Sequence, residues 1–177
     1  MFKLERKGFF RSAFRLTSED LLTPDDFHNI ATRLGRKPIK ARKIGRVAAH
    51  KAELQTRVET HWNGKESENI AEPGDWIVTS LTPDGAVLRD NDGQVNTYVI
   101  KPDKFSELYE PITGTTEFGT SFRAKGIVEA LLLSGGFELK APWGEIQKAN
   151  SGYLVLNGKE VYGNNREIFD LAYAPVD

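Results

Sequence analysis

The chain has 177 residues, of which 39% are hydrophobic, 28% charged and 10% aromatic, a mix that excludes a disordered tail, a collagen-like fibre and a disulfide scaffold. It contains no cysteine, which removes thiol catalysis and thiolate metal sites and favours a reducing compartment. The net charge of −1 hides a polarity: residues 1–52 hold 13 Lys/Arg against 5 Asp/Glu, and residues 53–177 hold 11 against 20. No apolar run approaches the roughly 18 residues needed to cross a bilayer. Only Phe9-Phe10 separates Lys3, Arg6 and Lys7 from Arg11, so no signal peptide is expected and a cytoplasmic location is.

Residues 1–39 read as a basic, partly helical extension. Thr23-Pro24-Asp25-Asp26 is a helix start, Phe27, Ile30 and Leu34 share a face, and Gly35 is a stop. This extension is expected to pack on the segment that follows it. Alternation over Arg46 to Leu54 and Gln55 to Trp62 predicts a hairpin, and Asn63-Gly64 is a turn. Pro73-Gly74 launches a strand at Trp76-Ile77-Val78. Thr82-Pro-Asp-Gly85 and Asp90-Asn-Asp-Gly93 are turns flanking a short strand at Ala86 to Leu88, and Val95 to Ile100 is the next strand. Pro102 opens a helix whose apolar face is Phe105, Leu108 and Tyr109, with Pro111 as its stop. Ile127 to Leu133 and Phe137 to Lys140 flank Ser134-Gly135-Gly136 as a hairpin. Tyr153 to Leu156 and Glu160 to Tyr162 flank Asn157-Gly158 as another, and Asn164 or Asn165 caps a last helix with Phe169 on its apolar face.

These elements repeat. Tyr98, Phe105, Tyr109 and Pro111 recur as Tyr162, Phe169, Tyr173 and Pro175 at an offset of 64. Trp76-Ile77-Val78 matches Tyr153-Leu154-Val155 at 77, and Lys43 to Ala49 resembles Lys125 to Ala130 at about 80. The first copy therefore carries an insertion between Thr79 and Thr97. The expected architecture is α+β: a first repeat over 40–112 and a second, degenerate one over 122–177, each a small antiparallel sheet or partial barrel closed by a short helix.

Pro73-Gly74-Asp75-Trp76-Ile77-Val78, followed by Lys101-Pro102-Asp103-Lys104-Phe105 and Tyr109-Glu110-Pro111, resembles the PGDYG-motif family of small uncharacterised bacterial and phage proteins. Trp76 stands where the family has Tyr, and the second repeat lacks the Pro-Gly-Asp. The resemblance implies an architecture and no mechanism.

Two groups of residues are candidate sites. Asp75 either locks its own turn or presents a carboxylate beside Trp76, and Lys101 and Trp62 complete a possible ligand-binding set. The stretch from Phe27 to Ala52 has no carboxylate and holds Arg33, Arg36, Lys37, Lys40, Arg42, Lys43, Arg46 and Lys51; a block of this kind neutralises phosphates or lies on the protein's own acidic remainder. Glu59 and Glu138 are matched carboxylates suited to acid–base work only if they approach one another. His28, His50 and His61 lack the spacing of a zinc site, so no metal is expected, and no phosphate-binding loop, nucleophile elbow or dinucleotide fingerprint is present. The expectation is a non-catalytic binding module without a cofactor, for nucleic acid or a nucleotide-like anion. Its alternatives are a small enzyme or ligand pocket around Asp75 and Trp76, and a protein-interaction module such as a phage protein that binds a host factor.

Overall fold

The computed structural model of the chain describes residues 1–8 and 13–176; Phe9, Phe10 and Arg11, invoked above for the signal-peptide reading, lie outside them. The chain divides into two units, one made of residues 1–42 and 127–177 and the other of residues 43–126. Among the described residues there are sixteen strands and three helices, arranged in several small, mainly antiparallel sheets, none closed into a barrel.

The continuous unit begins with β4 (Arg46–Lys51), β5 (Thr56–His61), β6 (Lys65–Ala71), β7 (Trp76–Leu81) and β8 (Thr97–Ile100). Helix α2 (Pro102–Leu108), β9 (Tyr109–Thr116) and β10 (Gly119–Ala124) follow. Its five-stranded antiparallel sheet has the order β8-β7-β4-β10-β9, with Val47 opposite Phe122, Ala49 opposite Val78, and Val78 opposite Tyr98. Strand alternation sends Val47, Ala49 and Val78 to one face, where Phe105 of α2 covers them. Ile77 faces the other side and packs with Ala52, Val58 and Ala71 under the β5–β6 hairpin.

The discontinuous unit opens with β1 (Phe2–Arg6), β2 (Phe14–Leu21), α1 (Pro24–Leu34) and β3 (Ile39–Lys43). It resumes with β11 (Ile127–Leu133), β12 (Phe137–Lys140), β13 (Ile146–Ala149), β14 (Gly152–Asn157), β15 (Glu160–Asn165), α3 (Arg166–Ala172) and β16 (Tyr173–Pro175). Its five-stranded sheet has the order β15-β14-β11-β3-β16, with Val128 opposite Ala41, Ala130 opposite Val155, and Val155 opposite Tyr162. Phe169 of α3 covers Ala41, Val128, Ala130 and Val155 on one face. The other face carries the largest core: Leu131, Leu133, Leu154 and Val161 meet Leu16, Phe27, Ile30, Phe137 and Leu139 from α1 and the sheet β1-β2-β12-β13.

The local signals work as chemistry dictates. Thr23 and Asp26 form a reciprocal capping box, and Gly35 ends α1 in the left-handed conformation at φ 64°. Asn165 caps α3 by accepting from the Glu167 amide. Asn63-Gly64 and Asn157-Gly158 turn the β5–β6 and β14–β15 hairpins.

Five expectations are corrected. The 46–54 and 55–62 segments do not pair: β4 is a central strand between β7 and β10, and β5 pairs only with β6. Ser134-Gly135-Gly136 is not a hairpin turn, since β11 and β12 enter different sheets. The glycines are needed because a Cβ on Gly135 would lie 2.7 Å from the Phe14 backbone, and one on Gly136 would lie 2.1 Å from the Ala149 oxygen. Pro111 does not stop α2, which ends at Leu108; it sits in edge strand β9, where a proline without an N–H is tolerated. Residues 1–39 pair with the end of the chain and not with the segment that follows them, β2 running parallel to β12. The Ala86–Leu88 segment makes only isolated bridges, at Leu81–Val87 and nearby at Arg89–Val95.

Phe137, 2% exposed, is slotted against the glycines of two neighbouring strands; a Cβ on Gly163 would fall 2.3 Å from its ring, and one on Gly152 at 2.6 Å. Gly163→Ala is expected to destabilise the protein by about 1–3 kcal/mol through overpacking. Phe137→Ala is expected to cost about 3–5 kcal/mol through a cavity. Urea denaturation measures both.

Candidate functional site

The Pro73-Gly74-Asp75 turn is closed by its own atoms. Gly74 has φ 92°, which a side chain would oppose, and its amide donates to the Ala52 oxygen at 2.8 Å. The Asp75 oxygen accepts from the Ala52 amide, and Asp75 Oδ2 accepts from the Glu72 amide at 2.9 Å. Lys101, the residue before α2, brings Nζ to 2.8 Å from the same Oδ2. Asp75 is 4% exposed, so its carboxylate is a buried cross-brace between the turn and the helix start.

The neighbouring rings continue the brace. Trp76 stacks on Phe105 at 4.2 Å and 15°, and Phe105 stacks on Tyr109 at 5.2 Å. Phe122 meets Trp76 and Phe105 edge-on, and the Tyr98 and Tyr109 hydroxyls lie 2.9 Å apart. Lys51 sits 5.5 Å from the Trp76 ring centre, within cation–π range. Asp75, Lys101, Trp76, Phe105, Tyr109 and Tyr98 thus cluster around the turn and the start of α2. In the other unit Tyr153 stacks on Phe169 at 4.0 Å and Phe169 on Tyr173 at 4.3 Å, without an acidic turn. Burial, reinforced by Tyr173, pushes the Tyr162 hydroxyl well above its ordinary pKa. Burial raises Tyr173 as well, against hydrogen bonds that pull the other way.

Of the ligand-binding candidates, Asp75, Trp76 and Lys101 come together. Trp62 is buried at 7% exposure at the end of β5 and offers no open ring face. The basic candidates are divided between the units. Arg36 donates to the Leu132 oxygen at 3.2 Å, whereas Lys37, Lys40 and Arg42 are exposed and have no carboxylate within 4 Å among the described residues. Ala41 faces the core beneath α3, so Lys40 and Arg42 share the opposite face of β3. Lys43 and Arg46 are half-buried, and Lys51 is committed to Trp76.

The remaining candidates disperse. Glu59 is held by Arg57, His61 and Lys65, and Glu138 by Lys148; each carboxylate is engaged within its own unit. The histidines lie apart in function as well: His28 packs edge-on against Phe27, His50 bonds the Phe118 oxygen, and His61 meets Glu59. Among the described residues no three His, Cys, Asp or Glu side chains form a group able to hold a metal.

Asp90, read from sequence only as a turn residue, is a second buried carboxylate. Its Oδ1 accepts from the Asp92 and Gln94 amides and its Oδ2 from the Asn63 amide, tying the loop over 82–96 to the β5–β6 turn. Burial alone would raise this carboxyl; the amides of Gln94, Asn63 and Asp92 outweigh it and hold the pKa below the ordinary value. The Asp-Asn-Asp-Gly pattern announces the turn, but nothing local announces Asn63.

No family model, no curated protein and no solved structure matches the chain.

Two predictions test the carboxylates. Asp75→Ala removes a charge-assisted bond from a buried turn and is expected to cost about 1.5–3 kcal/mol, read as a lower thermal midpoint. Asp90 has a depressed folded pKa, so its contribution to stability is present above its unfolded pKa and is lost as pH falls through the folded one. Thermal midpoints of the natural chain and Asp90→Asn, measured from pH 7 to 3, are expected to converge at the acid end. A constant gap over that range would contradict the assignment.

Proposed function

We propose that the chain is a non-catalytic binding module made of two related copies, with nucleic acid or a nucleotide-like anion as its ligand. The observation that carries the ligand class is the pair Lys40 and Arg42: exposed, on one face of β3, just after Arg36-Lys37 and without an ion-pair partner among the described residues. Glu129 stands opposite Lys40 in register, yet no salt bridge forms. Two exposed cations flanking one residue of a strand can present donors to successive phosphates.

The duplication draws support from the strand registers. The pairs Val47–Phe122, Ala49–Val78 and Val78–Tyr98 have counterparts Val128–Ala41, Ala130–Val155 and Val155–Tyr162, all but Phe122 and Ala41 standing at offsets read from sequence. Both five-stranded sheets also receive a seven-residue helix through one phenylalanine. Membership of the PGDYG-motif family belongs to the same proposal, supported by the contact network of its motif residues.

A pocket around Asp75 and Trp76 is the weaker reading, because the carboxylate is directed inward onto Glu72 and Lys101. A protein partner is favoured by one feature. Leu21, Lys140 and Ile146 lie in one row across three strands, and Leu21, Trp143 and Ile146 are 50%, 47% and 44% exposed.

Fluorescence anisotropy with labelled single- and double-stranded oligonucleotides, titrated over a salt series, decides between them. Binding is expected at low salt, falling as salt rises. The double variant Lys40→Ala/Arg42→Ala is expected to lower the salt slope by about 1–2 and the affinity by roughly tenfold or more. Absence of binding at low salt overturns the anion reading and leaves the protein-partner reading.

A further inference from the structure

We propose that Asn63 is a site of spontaneous deamidation, and that its conversion to aspartate or isoaspartate loosens the clasp between the β5–β6 turn and the loop over 82–96. The site lies within residues 43–126 and stands independently of the ligand proposed above.

The chemistry needs an asparagine followed by a residue whose backbone nitrogen no side chain shields, and glycine is that residue. The Gly64 nitrogen attacks Asn63 Cγ, and the new C–N bond closes a cyclic imide. The Cγ–Nδ2 bond breaks, and the amide leaves as ammonia with the proton given up by the Gly64 nitrogen. Water then opens the imide. Attack at Cγ gives aspartate, and attack at the main-chain carbonyl carbon gives isoaspartate. Water is the only co-reactant and nothing is oxidised or reduced.

Three features of the turn favour the attack. Asn63 and Gly64 are exposed and lie outside both strands, since β5 ends at His61 and β6 starts at Lys65. A Cβ on Gly64 would meet no atom within 4 Å, so water has access to the imide. The Asn91 amide donates to Asn63 Oδ1 at 3.0 Å, the oxygen on which negative charge develops as the nitrogen attacks.

The second Asn-Gly pair of the chain is an internal control. Asn157 is the last residue of β14, opposite Glu160 in the ladder, and its side chain hydrogen-bonds the buried Tyr162 hydroxyl. Closing an imide there takes the backbone out of its extended geometry and pulls the side chain from that bond. The same dipeptide is therefore reactive in one turn and protected in the other.

The product acts on Asp90. Its Oδ2 accepts from the Asn63 amide at 3.0 Å and the residue is 8% exposed, so a carboxylate at position 63 sets a second negative charge beside a buried one. Isoaspartate lengthens the main chain between Trp62 and Gly64, which are joined by a backbone bond of 2.9 Å.

The test is incubation of the native chain at mildly alkaline pH, with tryptic digests read over time by mass spectrometry with fragmentation. The Val58–Lys65 peptide carries Asn63 and the Ala149–Lys159 peptide carries Asn157. Amide-to-acid conversion is expected at Asn63 roughly tenfold or more faster than at Asn157. It is also expected to be no slower than in urea, where the two sites convert alike. Protection of Asn63 in the native chain relative to urea, or conversion of Asn157 at the same rate or sooner, overturns the site. Asn63→Asp is expected to lower the thermal midpoint at neutral pH, and to lower it less when Asp90→Asn is also present. An equal loss in both backgrounds overturns the effect on the clasp.

Discussion

A helix of seven residues has too few internal hydrogen bonds to repay its own nucleation, so α2 and α3 exist only because something outside them holds one side chain. That side chain is a phenylalanine clamped between two rings: Phe105 between Trp76 and Tyr109, Phe169 between Tyr153 and Tyr173. The clamp sets the rest of each sheet. Its first ring lies at the start of an interior strand, β7 or β14, and its last ring opens the edge strand that follows the helix. The strand turned back before the helix contributes a tyrosine, Tyr98 or Tyr162, whose hydroxyl bonds that last ring's hydroxyl. One aromatic contact therefore fixes the spacing of three strands. The side chains it needs are the ones that recur along the sequence.

Folding also redistributes the charge. The basic first third does not form a domain of its own. Residues 1–42 join residues 127–177, and together they hold 14 Lys/Arg against 12 Asp/Glu; residues 43–126 hold 10 against 13. The sequence-level polarity becomes net charges of +2 and −3, and only a few of the cations remain exposed without a carboxylate. This is why the anion reading rests on Lys40 and Arg42 and not on the whole stretch from Arg33 to Lys51.

Features governed by neighbours along the chain were legible in the sequence. The capping box at Thr23, the helix start at Pro102, the Asn165 cap and the two Asn-Gly turns each depend on atoms within four residues of one another. Pairing was not legible, because β4 selects β7 and β10 over β5 by packing against Phe105 and Phe122, far along the chain. Gly135-Gly136 misled for a related reason: a hairpin turn and a close backbone crossing both demand glycine, and only the tertiary neighbours Phe14 and Ala149 tell them apart. The candidate site divides in the same way. Asp75 could be read as a turn lock from its own tripeptide, but Lys101, 26 residues on, could not be assigned to it, nor Asn63 to Asp90.

The two clamps differ in what packs beside them. Phe122 of β10 inserts edge-on beside Trp76 and Phe105, and the last ring of that stack stands back at 5.2 Å. Ala41 of β3 packs in the cluster around Phe169, and there the rings close to 4.0 and 4.3 Å. The Asp75–Lys101 brace stands at the start of the helix whose phenylalanine lies in this wider, five-ring cluster. The tighter stack holds its helix through ring contact, the Asn165 cap and the buried tyrosine pair, with no charge at the turn. Pro73, Gly74, Asp75 and Lys101 thus occur beside the helix whose ring stack is the looser, and the Asp75 carboxylate there accepts from the Glu72 amide and Lys101.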